Sequence, residues 1–188
     1  KGQTVIFDAV STLVNKGVMV RLSMYSHTPS NAYRERLLNT VEEIGITEHV
    51  EFMPAKNTDE MLREYRNHDI FVYSGWVRSE RDANIETYAR ATGRCGTRLY
   101  SLIEAMAAGL PVVCASERQV VGAVENGGNG LVFEKGNASD LVAKIEAIAG
   151  MDLRAMGARS RALIEEHHDA RDFPARFERF AEIRTKLG

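Results

Sequence analysis

Cysteine, one-signed charge and long apolar runs are all scarce in this chain. Only two cysteines, Cys95 and Cys114, occur in 188 residues. One falls in a loop and the other in a buried-strand pattern, so a reducing cytoplasm is expected and a disulfide framework is not. The formal net charge is −2, which offers no general attraction to nucleic acid or to an acidic membrane. No apolar run reaches the ~18 residues of a spanning helix. There is no internal repeat and no low-complexity tract. No signal peptide is visible either, although the opening is abrupt enough to be consistent with a lost leader.

What is present suits a folded domain. A hydrophobic share of 44% can build a core, and the length fits one domain of ordinary size or one and a half. Apolar spacing predicts a helix over 3–16, with Ile6, Val10, Leu13 and Val14 on one face and Lys16-Gly17 as its stop. A strand follows over 18–25. "TPSN" then caps a helix running to Ile44, with Tyr33, Leu37, Leu38, Val41 and Ile44 facing inward. "HVEFM" reads as a strand, and "NTDEMLREYRNH" as a short helix whose capping box runs loosely from Thr58 to Met61. "DIFVYS", "PVVCAS" and "GLVFE" read as strands. Helices are expected over 138–149, 152–167 and 173–187. Strands separated by helices of this length predict an α/β fold, a Rossmann-like wound parallel sheet with helices on both faces.

The stretch "CGTRLYSLIEAMAAGLPVV", residues 95–113, carries the chemistry. A turn at Gly96 runs into a helix that stops at Gly109. In wound sheets, ligands bind beyond the carboxyl ends of the strands, where this helix begins. The first amides of a helix are unpaired and partly positive, and glycine allows close approach, so the start at 96–99 is a candidate phosphate site. At about 100° per residue, Leu99, Leu102, Ile103, Met106 and Ala107 share one face. Glu104 lies in the sector of Thr97, Tyr100, Ser101 and Ala108. Helical side chains lean toward the N-terminus, so Glu104 reaches back toward whatever occupies the helix start. There it could accept hydrogen bonds from ribose hydroxyls. The plainer reading is a solvated helix residue.

"IEAMAAGLPVVCAS" and "VENGGNGLVFEKGNASDLVAKI" together resemble the C-terminal, donor-binding domain of GT-B nucleotide-sugar glycosyltransferases of the retaining group 1 type. The resemblance spans nearly the whole chain. It implies one half of a GT-B fold, a single domain over 1–188 that binds a nucleotide-diphosphate sugar. The implied reaction is transfer to a polysaccharide, lipid or small acceptor, without a metal cofactor. Residue by residue, it gives Glu104 the ribose, as second glutamate of the family's E-x7-E motif. Lys1 of the opening "KG" falls on the lysine that contacts the diphosphate. The backbone amides of Thr97, Arg98 and Leu99 fall on the distal phosphate, and Met53, Pro54 and Ala55 lie near the base. The first glutamate of the motif is replaced by Gly96, which resembles a subset carrying "GGTRLK-x-LEAMA". That departure touches the sugar more than the nucleotide. It also leaves a degenerate, non-catalytic scaffold as the alternative.

The family has a strand before "KG", in the middle of a 3-2-1-4-5-6 sheet. Its absence here implies a longer polypeptide, with an N-terminal acceptor domain and a first strand outside this sequence, and no catalytic residue is assigned to this half. Three further features complete the reading. Residues 75–95, with Trp76, Arg78, Arg81, Tyr88, Arg90 and Arg94, form an insertion expected near the cleft, or an ordinary surface excursion. His167-His168-Asp169 could suggest a metal site, but adjacent histidines on a helix diverge, so a solvated helix end is expected. The stripe Phe173, Phe177, Phe180 and Ile183 beside Arg176, Arg179 and Arg184 would pack toward the N-terminal domain. Its alternative is peripheral contact with the inner face of a membrane.

Overall fold

In the computed structural model of the chain, the described residues are 2–26, 31–75, 100–117, 120 and 122–167. Among them five short parallel strands alternate with helices. The order is α1 (Gln3–Asn15), β1 (Leu22–Ser26), α2 (Asn31–Glu43), β2 (Val50–Pro54), α3 (Thr58–Tyr65), β3 (Phe71–Tyr73), α4 (Tyr100–Ala107), β4 (Val112–Ala115), β5 (Gly130–Phe133), α5 (Ala138–Ala149) and α6 (Leu153–His167). The strands form two sheets, β1-β2 and β3-β4-β5. All pairs are parallel, with Leu22 opposite Val50, Phe71 opposite Val112 and Val112 opposite Gly130.

The wound α/β architecture follows from β4. All four of its residues are buried, and strand side chains alternate between faces. Val113 and Ala115 join a core with Phe7, Val10 and Leu13 of α1 and Leu141, Val142 and Ile148 of α5. Val112 and Cys114 join another with Leu102 and Met106 of α4 and Leu163 of α6. Helices therefore cover both faces. The first core also takes Val50 from β2, with Leu22 and Met24 of β1 packed against it, so the two sheets share one interior. Phe7 meets Phe52 of β2 edge-on at 6.4 Å. Burying one such side chain is worth about 1.5–3 kcal/mol.

Several local expectations are corrected. The cap of α3 is Asn57, not Thr58: its side chain accepts from the Glu60 amide at 2.9 Å, and Glu60 answers to the Asn57 amide at 3.1 Å. Strand β1 starts at Leu22, four residues later than expected, and the carbonyl of Val20 just ahead of it is taken by the His49 ring at 3.0 Å. In α2, Leu37 and Val41 are buried but Leu38 is exposed, because it sits about 100° round the helix from Leu37. In α4 the buried arc is Leu102, Ala105 and Met106, with Ile103 and Ala107 only partly covered. The 75–95 insertion beyond Gly75 and the 173–187 helix lie outside the described residues.

Candidate functional site

Parallel strands place all their carboxyl ends on one rim of each sheet, and three polar groupings collect around the elements that leave those rims. The first surrounds Glu104. Helix α4 exposes Tyr100 and Ser101 and buries Ala105, which leaves Glu104 at the boundary, partly covered. It is not a freely solvated residue. The hydroxyl of Tyr65, the last residue of α3, stands 3.5 Å from its Oε2. Burial pushes the Tyr65 phenol up to about 12, helped by the neighbouring Glu104 charge and the hydrogen bond. At neutral pH that group is therefore a donor to the carboxylate.

The second grouping flanks Met53 and Pro54, the last two residues of β2, which pair with Tyr25 and Ser26 of β1. The Tyr25 hydroxyl donates to Glu64 Oε2 at 2.9 Å. Lys56, two residues past β2, forms an ion pair with Glu64 Oε1. The Lys56 ammonium also lies 5.8 Å from the centre of the Tyr25 ring, a cation–π distance. Lys56 and then Tyr25, as hydrogen-bond donors, hold the Glu64 carboxyl below its ordinary range. Burial first, then Glu64, raises the Tyr25 phenol to about 12.

The third grouping joins three strand ends. Tyr73 ends β3, Glu117 lies two residues past β4 and Lys135 two residues past β5. Lys135 Nζ meets Glu117 Oε1 at 2.6 Å, and the Tyr73 hydroxyl donates to Glu117 Oε2 at 3.2 Å. The Glu117 carboxylate rests against the backbone of Gly75. A Cβ on that residue would sit 2.6 Å from Oε1, a contact the flexible carboxylate can relieve, but the φ of 68° where the chain leaves β3 favours glycine.

Of the residues predicted from sequence, Met53 and Pro54 lie at the carboxyl end of β2, and Glu104 lies on α4, where its contact Tyr65 packs with Phe71 and Leu110 near the amino ends of β3 and β4. Lys1, Gly96, Thr97, Arg98 and Leu99 lie outside the described residues, as do His168 and Asp169. Sequence reasoning did not find Tyr25, Lys56, Glu64, Tyr65, Glu117 or Lys135. A tyrosine at the end of an amphipathic helix reads as core, and the Tyr25–Glu64 and Tyr65–Glu104 contacts each span 39 positions. Among the described residues, no group of three or more His, Cys, Asp or Glu side chains is arranged to hold a metal ion. None of the described helices is long and apolar enough to cross a membrane.

A family model described as Glycosyl transferases group 1 matches residues 1–150. No curated protein matches the chain. Among solved structures, sucrose-phosphate synthase from Thermosynechococcus elongatus is 16% identical with a TM-score of 0.73, over 97% of this chain and 43% of that one. Anabaena Alr3699/HepE in complex with UDP and glucose is 17% identical with a TM-score of 0.72, over 97% and 45%. The C-terminal domain of the glycosyl transferase group 1 family protein LpcC from Francisella tularensis is 15% identical with a TM-score of 0.66, over 90% and 80%. This chain thus spans less than half the length of the first two, and at these identities the likeness is one of fold.

Proposed function

Because the chain belongs to the glycosyl transferases group 1 family, we propose that it is the donor-binding part of a retaining glycosyltransferase. In this reading it binds a nucleotide-diphosphate sugar for transfer to a glycan, lipid or small acceptor. The observation that carries the reading is Glu104: a partly covered carboxylate on α4, held by a buried phenol, at the position the family motif gives to the ribose. The UDP held by the Anabaena protein makes uracil the first base to test.

The roles then follow from charge. Glu104 accepts hydrogen bonds from the ribose hydroxyls. The amides of Thr97, Arg98 and Leu99, with the Lys1 ammonium, face the diphosphate and stabilise the negative charge that develops as it leaves. Met53 and Pro54 flank the base. No general base is assigned to this part of the protein. The acceptor-side groups belong to a further domain, and Gly96 in place of the motif's first glutamate alters the contact to the sugar.

Calorimetric titration of nucleoside diphosphates and their sugars tests the proposal, with Glu104→Ala as the control. One nucleotide should bind saturably, and the variant should bind at least about tenfold more weakly, the scale of a lost hydrogen bond to a charged group. A chain that melts cooperatively yet binds none of them would be the scaffold, and the proposal would fall.

A further inference from the structure

Tyr65 occupies a position where a phenylalanine would pack equally well. Its side chain is 8% exposed and its ring meets Phe71 edge-on at 6.0 Å. It shares a small apolar cluster with Ala105 and Leu110, against which Met61 and Ala108 also pack. The hydroxyl is the one polar atom of the side chain, and it points to Glu104. Two helices meet in that contact. Tyr65 closes α3 and leans back along it, while Ala105, next to Glu104, is fully buried in the same cluster. Burial of Ala105 fixes the roll of α4, so the Glu104 backbone is set and only its side-chain torsions are left to choose.

We infer that Tyr65 is a positioning residue for the nucleotide site, its hydroxyl selecting the Glu104 rotamer that accepts the ribose hydroxyls. This rests on the donor-binding reading above. A glutamate free to rotate loses side-chain entropy when a ligand orders it, and a donor that selects one rotamer beforehand removes part of that loss. The separation of 3.5 Å is at the outer limit of a hydrogen bond. That suits a ligand-free site, where such contacts are often long and shorten when the ligand arrives. Burial keeps the phenol protonated far above neutral pH, so the donor is present under all ordinary conditions.

The test compares a nucleoside diphosphate with its 2′,3′-dideoxy analogue, using the nucleoside that binds most tightly among uridine, guanosine and adenosine. Both are titrated against the wild-type chain, Tyr65→Phe, Glu104→Ala and the double variant. Tyr65→Phe keeps the ring and its packing, and a cooperative melt checks that each variant folds. The wild type should prefer the ribonucleotide, and Glu104→Ala, which removes the acceptor, should remove that preference. Tyr65→Phe should reduce it by roughly two- to tenfold, the range of one hydrogen bond's net worth, with the dideoxy analogue bound as before. In the Glu104→Ala background, Tyr65→Phe should change nothing, because the two residues act as one unit. An undiminished preference in Tyr65→Phe, or an equal loss with and without Glu104, overturns the positioning role. A folded wild type that binds no nucleoside diphosphate, or binds both forms alike, overturns the ribose role of Glu104 and this inference with it.

Discussion

Asn129 is fully buried, and both ends of its amide are engaged. Its Oδ1 accepts from the Glu125 amide at 2.7 Å and its Nδ2 donates to the Ala123 carbonyl at 3.1 Å. Asn129→Leu should leave both backbone groups without these partners. A buried polar group left without a partner costs about 1–3 kcal/mol; Glu125 is exposed and Ala123 partly covered, so water replaces part of the loss, and urea denaturation should show a decrease within that range, with Asn129→Asp intermediate. Protons tell a parallel story. Tyr25, Tyr65 and Cys114 are each raised to about 12, from ordinary values of 10.0, 10.0 and 9.0, and burial is the first cause in each case. The folded chain keeps these protons while the unfolded chain sheds them. The stability they contribute is therefore complete below the thiol's ordinary value and is lost as pH climbs from about 9 toward 12. The urea midpoint should fall over that window, and Tyr65→Phe and Cys114→Ala should each flatten the fall. The sector of Glu104 could be read from helical spacing alone. Its phenolic partner could not, because nothing local links a residue on α3 to one on α4.

Helix α6 approaches the turn that ends α4 so closely that their backbones meet. A Cβ on Gly157 would stand 2.0 Å from the Gly109 carbonyl oxygen. Alanine in place of glycine usually favours a helix by up to about 1 kcal/mol. Here the sign should reverse: Gly157→Ala should destabilise by about 1–3 kcal/mol, the range of an overpacked core, because the two helices must separate. A thermal melt decides it, and a variant as stable as the wild type would mean that the helices do not sit this close. Gly109 was legible as a helix stop, since its φ of 87° suits glycine and little else. Gly157 gave no such signal, because a glycine inside a helix looks like a tolerated interruption until the neighbouring helix is known. The same division runs through the other elements. Helices with one clear apolar face, α1 and α5, fall where periodicity put them. Leu38 and the cap at Asn57 miss by one position, because one residue turns a helix by about 100° and propensity alone does not fix its phase.

At the scale of the whole molecule, the fold class was legible. Strands alternating with helices predicted a parallel wound sheet, and among the described residues the five parallel strands stand as two sheets on one shared core. This arrangement fixes where backbone amides are held. Along a parallel strand, alternate amides point to opposite neighbours. Strand β4 has a neighbour on each side, and its register places Val112 against both Phe71 and Gly130. Strand β1 pairs only with β2 among the described residues. Native-state hydrogen exchange should therefore be slow at every residue of Val112–Ala115 and should alternate between slow and fast along Leu22–Ser26. The difference is local and does not depend on overall stability, because fast amides exchange without global unfolding. Uniform protection along Leu22–Ser26 would mean that the outer edge of β1 is paired in solution, and the two-sheet division would fail as a description of the folded chain.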